Sequence, residues 1–215
     1  MAINLHLGDC LEAMRDMEDN AFDLAIVDPP YGLGIAKDFH QNGERNCRGW
    51  GEYSKKEWDS SIPDAEYFSE LFRVSKNQII WGGNYFTTHL PPSQGWVIWN
   101  KGQRDFTLAD GEMAWTSFDR ALRIFDFARG SALSSNQKTG GMWHPTKKPV
   151  QLYTWLLSKY AQEGDRILDT HLGSGSIAIA AHNLGFDLTG YELDEEYYQA
   201  ACNRLKEHQK QLRLF

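Results

Sequence analysis

No two cysteines in this chain stand close enough to form a CxxC pair or to share a metal ion. Cys10, Cys47 and Cys202 are scattered over 215 residues, which argues against a structural zinc site and suits a reducing compartment. Long apolar runs are also missing. Nothing approaches the roughly 18 residues that span a bilayer, so no membrane partner is expected. The segment Met1 to Asp9 has no basic stretch leading into an apolar one, and no secretory leader is expected there. Excess positive charge is absent as well: the formal net charge is −7, which works against simple electrostatic adhesion to nucleic acid.

What is present reads as an ordinary globular chain, with 41% hydrophobic and 24% charged residues. Its length suits a single domain over residues 1–215, with room for an insertion. The charge is uneven. Residues 97–148, with Lys101, Arg104, Arg120, Arg123, Arg129, Lys138, Lys147 and Lys148, are net +3, which leaves −10 elsewhere. Such a basic middle fits either a confined polyanion site or ordinary solvated charge.

Hydrophobic periodicity predicts strands at 3–7 and 22–27, the second mostly apolar as central parallel strands are. Gly8-Asp9 opens a helical pattern. A helix is expected over 64–75 and a strand over 78–81, then short antiparallel strands near 95–100, 113–116 and 122–127. After Pro149 come a helix to 160, a strand at 166–169, a small-residue helix at 175–184, a strand at 188–192 and a final helix capped by Asp194. Strands alternating with helices at both ends imply an α/β sheet with a more β-like insertion. The long polar loop 32–62 carries Trp50, Tyr53 and Trp58, which either stack on displaced bases or pin the loop.

Asp169-Thr-His-Leu-Gly-Ser-Gly-Ser-Ile-Ala178 lies between a predicted strand and helix. Gly173 and Gly175 let backbone approach a ligand, and Ala178 permits close helix–sheet packing. Glu192, 19 residues beyond Gly173, stands where an acid binds ribose hydroxyls. The pattern fits a nicotinamide dinucleotide or S-adenosylmethionine, and does not separate them.

Asp28-Pro29-Pro30-Tyr31 ends the second predicted strand, facing the crevice where α/β ligands bind. Prolines fix φ and offer carbonyls without a competing N–H. Asp28 and the Pro29 carbonyl are suited to accept both protons of one exocyclic amino group and to stabilise charge as its nitrogen attacks. Tyr31 offers a face for an extruded base. A rigid turn after a buried strand would use the same residues.

In these motifs the chain resembles the amino-methylating DNA methyltransferases that use S-adenosylmethionine. It is most similar to their circularly permuted group, in which the catalytic motif precedes the cofactor motif. Asp28 to Tyr31 resembles the catalytic tetrapeptide, with Asp as in the adenine-N6 enzymes; Asp169 to Ser176, including His171, Gly173, Ser174 and Gly175, resembles the glycine loop. Gly8-Asp9, with Cys10 beside it, matches the short motif whose acid contacts the cofactor's adenine. His144-Pro-Thr-Lys-Lys-Pro149 resembles the segment in which Thr146 and Lys148 would reach the methionine carboxylate. The usual Asp-Pro-Phe is here Asp169-Thr170-His171, so either a neutral histidine replaces the phenylalanine or His171 is simply a polar loop residue.

The resemblance implies a Rossmann-like, permuted methyltransferase sheet with helices on both faces and an inserted target-recognition region over 101–142, beside a substrate loop at 32–62. It implies a cytoplasmic enzyme of a bacterial or phage-infected cell, acting on double-stranded DNA, with homodimers common. Adenine would be flipped out and methylated by direct displacement, without a metal. No cysteine follows a proline, as the nucleophile of cytosine-C5 enzymes does. The basic insertion would grip phosphates, and Trp96 and Trp99 either frame the pocket or pack in the core. Alternatives are cytosine-N4 methylation, adenine in RNA, a nicotinamide-dependent oxidoreductase, and a catalytically silent nucleic-acid-binding relative.

Overall fold

A computed structural model describes residues 1–33, 61–104, 109–128 and 147–210. The elements run β1 (Ile3–Leu7), α1 (Cys10–Arg15), β2 (Phe22–Val27), α2 (Ala65–Val74), β3 (Ser75–Trp81) and a 3-10 turn (Gly83–Tyr85). Then follow β4 (Trp96–Asn100), β5 (Gly111–Thr116), β6 (Arg123–Asp126), α3 (Val150–Tyr160), β7 (Arg166–Asp169), α4 (Ser176–Leu184), β8 (Asp187–Glu192) and α5 (Glu195–Lys210). The eight strands form one sheet in the order β1-β8-β7-β2-β3-β5-β4-β6.

The first five strands of that order are parallel, with β7 and β2 side by side at the centre. Alternate residues feed opposite faces, as a two-residue period requires. Leu24, Ile26, Ile79, Trp81, Ile167 and Leu188 pack with α3, α4 and α5. Ala25, Val27, Ile80 and Leu168 pack with Met14 of α1 and Tyr67, Phe68 and Leu71 of α2. The expected α/β sheet covered by helices on both faces is what forms.

Local chemistry sets the helix starts. Asp9 accepts from Leu11 N–H at 2.7 Å, and Asp64 accepts from Tyr67 N–H at 3.0 Å. Asp194 accepts from Glu196 and Tyr197 N–H groups at 3.0 and 3.1 Å.

The middle of the chain differs from expectation in one respect. β5 is antiparallel to β3 and β4, but β6 runs parallel to β4. The connection from β5 to β6 skips past β4, so β6 keeps the alternating direction but lies beside β4 and not β5; period-two patterning gave the strands without their neighbours. All three strands extend the central sheet. Among the described residues, no helix is long and apolar enough to cross a membrane.

Candidate active site

Because five neighbouring strands are parallel, their C-terminal ends share one edge of the sheet. That edge carries Asp9 after β1, Asp28 after β2, Gly82 after β3, Asp169 and His171 at the end of β7, and Glu192 at the end of β8. Backbone pairing fixes their mutual positions: Gly8 N–H donates to the Glu192 carbonyl at 2.9 Å, and Leu172 N–H to the Tyr191 carbonyl at 2.8 Å. Residues distant in sequence therefore meet where α/β sheets bind ligands.

Both oxygens of Asp28 are engaged. The Tyr31 hydroxyl donates to Oδ1 at 2.6 Å, and the Lys148 ammonium donates to Oδ2. Lys148 is 2% exposed and also pairs with Glu112 Oε2 at 3.2 Å. Burial alone would lower the pKa of this lysine, but Asp28 and Glu112 outweigh it and hold the value above the ordinary one. Burial would likewise raise Glu112, and Lys148 and Lys101 outweigh it in the other direction. The Tyr31 phenol is pushed well up by burial and then by Asp28 and Glu112, so it remains a proton donor.

The Tyr31 ring stacks on Tyr85, with centroids 5.1 Å apart and planes at 16°. One face is thus already covered by an exposed aromatic side chain. Tyr31 also abuts Gly82, whose φ of +70° and missing side chain make room for the ring.

The glycine loop is tied from several sides. Glu192 accepts from Gly173 N–H at 2.7 Å through Oε2 and from Asp194 N–H at 3.0 Å through Oε1. Each oxygen keeps a further lone pair for a ligand hydroxyl. Asp169, 2% exposed, accepts from His171 N–H at 3.0 Å. Burial, with Asp28 and Glu192 nearby, pushes it up to about 8. Gly175 serves the protein's own packing: an ideal Cβ there would fall 3.0 Å from Ala201 Cβ of α5. The Ser174 hydroxyl bonds that of Ser176 at 3.0 Å.

At the departure from the Asp-Pro-Phe pattern, Thr170 and His171 build a polar link. His171 Nδ1 lies 2.9 Å from the Thr170 hydroxyl, which lies 2.7 Å from the Tyr67 hydroxyl. The His171 ring meets Tyr67 edge-on at 5.5 Å. Desolvation lowers its pKa to about 4, so the ring is neutral at ordinary pH. Cys10 is a neutral thiol, pushed up to about 12 by burial and by Asp9.

Asp28, Tyr31, Lys148 and the glycine loop thus share the edge with Asp9, Cys10 and Glu192. The Lys148 ammonium lies on Asp28 and Glu112, not apart from them as a free cation for a cofactor carboxylate. Thr146, His144, Trp50, Tyr53 and Trp58, most of the 32–62 loop and much of 101–142 lie outside the described residues. Trp99 is buried and its indole N–H donates to the Phe127 carbonyl at 2.9 Å, while that of Trp96 donates to the Ser93 carbonyl at 3.0 Å. Among the described residues, basic side chains of the middle lie at both edges. Lys101 follows β4 at the Asp28 edge, whereas Arg120 lies with Lys76, Lys159 and Asp23 around a cavity of about 350 Å³ at the opposite edge.

Sequence reasoning missed Glu112, Gly82 and Tyr85. A Trp-Gly-Gly run after a predicted strand was a usable signal for Gly82. An acid two residues before Ala114 in an antiparallel neighbour becomes meaningful only once the register with β3 is known.

The fold and this edge define an α/β site with an acid, Asp28, beside a glycine loop on the neighbouring strand end. A family described as DNA methylase matches residues 97–203. The type II methyltransferase M.HpaI of Haemophilus parainfluenzae is 24% identical over 234 residues, covering 92% of this chain and 72% of that protein. A solved M1.HpyAVI–SAM complex superposes with a TM-score of 0.61 at 20% identity, covering 94% and 98% of the two chains. The cytosine-N4-specific PvuII DNA methyltransferase gives 0.62 at 14% identity, covering 97% and 90%. The chain belongs to the N6/N4 DNA methylase family.

Proposed function

We propose that this protein transfers a methyl group from S-adenosylmethionine to the N6 amino group of an adenine rotated out of duplex DNA. The observation that carries the proposal is the pairing of Asp28, in its Asp-Pro-Pro-Tyr setting, with a glycine loop on the adjacent strand end. The donor set suits the cofactor. Glu192 and Asp9 offer acceptors for ribose hydroxyls and an adenine amino group, and Asp169 offers a buried carboxyl for a cationic amine. His171 presents a neutral ring, with no charge to repel a sulfonium. The bound cofactor supplies an electrophilic methyl group.

The protein's part is alignment and charge stabilisation. Asp28 and the Pro29 carbonyl accept the two protons of the target amino group, with Pro30 stiffening the turn, and stabilise positive charge on nitrogen as it attacks. Tyr31 holds Asp28 through its hydroxyl and lines the base site with its ring; a base stacking on the covered face would have to displace Tyr85. We keep Lys148 with Asp28, not on the cofactor, because both its carboxylate partners are at that centre. Arg104, exposed near the same edge and paired with Asp110 at 3.8 Å, would have to exchange that partner to hold a phosphate.

Digestion to nucleosides after incubation with labelled cofactor and mixed-sequence duplex DNA tests this reading. N6-methyladenine is the expected product. N4-methylcytosine would keep the mechanism and overturn the base assignment. No product on DNA, with cofactor bound, would overturn the DNA-methylating reading.

A further inference from the structure

Glu112 has no part in the chemistry described so far, yet it stands in the site. It is the second residue of β5, and the antiparallel register with β3 brings it to the edge that carries Asp28. Its two oxygens are divided between two ammonium groups: Oε1 accepts from Lys101 at 2.5 Å, and Oε2 pairs with Lys148 at 3.2 Å. Lys148 in turn donates to Asp28. Four charges therefore alternate in a row, Lys101, Glu112, Lys148 and Asp28. Lys148 is the most enclosed, its side chain 2% exposed against 16% for Lys101, 25% for Glu112 and 19% for Asp28.

A buried ammonium must keep a counter-charge. With Asp28 as its only partner, Lys148 would hold that carboxylate tightly and compete with any amino group arriving there. Tyr31 already holds the other oxygen. Glu112 changes the competition, because Lys148 can lean toward it while staying paired. Lys101 fixes Glu112 from the far side and keeps its carboxylate charged and oriented.

We propose that Glu112 is a positioning residue: by sharing Lys148 it leaves the Asp28 carboxylate available to the target amino group. This rests on the methyl-transfer reading above. Loss of Glu112 charge tightens Lys148 on Asp28, so the chemical step slows while cofactor and DNA still bind.

The test compares the full-length protein with Glu112→Gln and Glu112→Asp, using tritiated S-adenosylmethionine and mixed-sequence unmethylated duplex DNA. Single-turnover rate, cofactor Kd and DNA KM are measured for each. Glu112→Gln is expected to lower the rate about tenfold or more, with cofactor Kd and DNA KM within about twofold of the parent. Glu112→Asp, which keeps the charge, recovers most of the lost rate. A Gln variant as fast as the parent overturns the proposal. So does a loss that appears as weaker cofactor binding, which would assign Lys148 to the cofactor. An Asp variant as slow as Gln, with a matching drop in melting temperature, reduces Glu112 to packing. An unmodified protein that methylates no nucleoside overturns the function and this proposal together, whereas an active parent with an unaffected Gln variant overturns this proposal alone.

Discussion

Gly82 and Tyr31 are packed so closely that no side chain fits between them: an ideal Cβ at 82 would fall 2.2 Å from Tyr31 Cε1. The residue also has φ of +70°, a conformation that side chains disfavour. Tyr31 in turn holds Asp28 through its hydroxyl. Gly82→Ala must therefore move the ring or the turn. The expected stability cost is about 1–3 kcal/mol, from overpacking together with backbone strain. Methyl transfer should fall about tenfold or more while cofactor Kd changes little. Denaturant midpoints and isothermal titration check both halves; an active, stable Ala variant would mean that Tyr31 placement is not critical.

Asp28→Ala removes the acceptor while leaving Lys148 paired with Glu112, so the buried ammonium is not stranded. The fold and cofactor binding should survive. The methyl-transfer rate should drop by about 10²–10³-fold or more, the scale of losing one preorganised electrostatic contact at a reacting centre. Equal activity would overturn the role given to Asp28.

Two buried titratable groups give opposite pH slopes to stability. Asp169 holds its proton up to about 8 in the folded protein, against 3.8 in the open chain. Between those values the folded state binds more protons, so stability contributed by this group falls as pH rises. His171 stays neutral down to about 4 when folded, against 6.5 when exposed. There the unfolded state binds more protons, and stability is lost as pH falls through that window. Asp169→Asn should therefore gain on the parent between about pH 5 and 8, and His171→Phe between about pH 6.5 and 4.5, in urea-midpoint comparisons. A stability difference independent of pH would refute either assignment.

Much of this was legible in the residues. Period-two and helical patterning located every strand and α-helix of the described residues, though not the 3-10 turn at Gly83–Tyr85, and the Asp-Pro-Pro-Tyr and glycine-loop motifs marked the two central strand ends. What patterning could not supply was which strands are neighbours. Glu112 gains its meaning from the β3–β5 register, and β6 its place beside β4 from a connection that skips past that strand. Arg120 counted toward a basic middle in sequence, but β5 carries it to the edge opposite Asp28, where its guanidinium lies against the rings of Phe118 and Tyr160. By resemblance Lys148 is expected on a cofactor carboxylate, and only its burial between Asp28 and Glu112 shows what its charge is held by.

The glycine loop is also held by a residue of the last helix. Arg204 of α5 is 6% exposed and donates through Nη1 to the Ser174 carbonyl at 2.6 Å and the Ser176 hydroxyl at 2.9 Å. Burial lowers its pKa to about 10, which still leaves it charged near neutrality. Both acceptors are enclosed, so removing the guanidinium leaves them short of a donor. Arg204→Met keeps most of the apolar stem and isolates that loss, expected to cost about 1–3 kcal/mol. The loop backbone would loosen, and on the proposed reading of this loop cofactor Kd should rise by about tenfold, or 1.4 kcal/mol. Arg204→Lys should recover part of this, since an ammonium can donate to both acceptors as the single Nη1 does, but from a shorter stem. Equilibrium binding of S-adenosylmethionine alone, without DNA, reads the effect. If the Met variant binds as tightly as the parent, the loop keeps its shape through Glu192 and its own turn, and the support from α5 serves stability only.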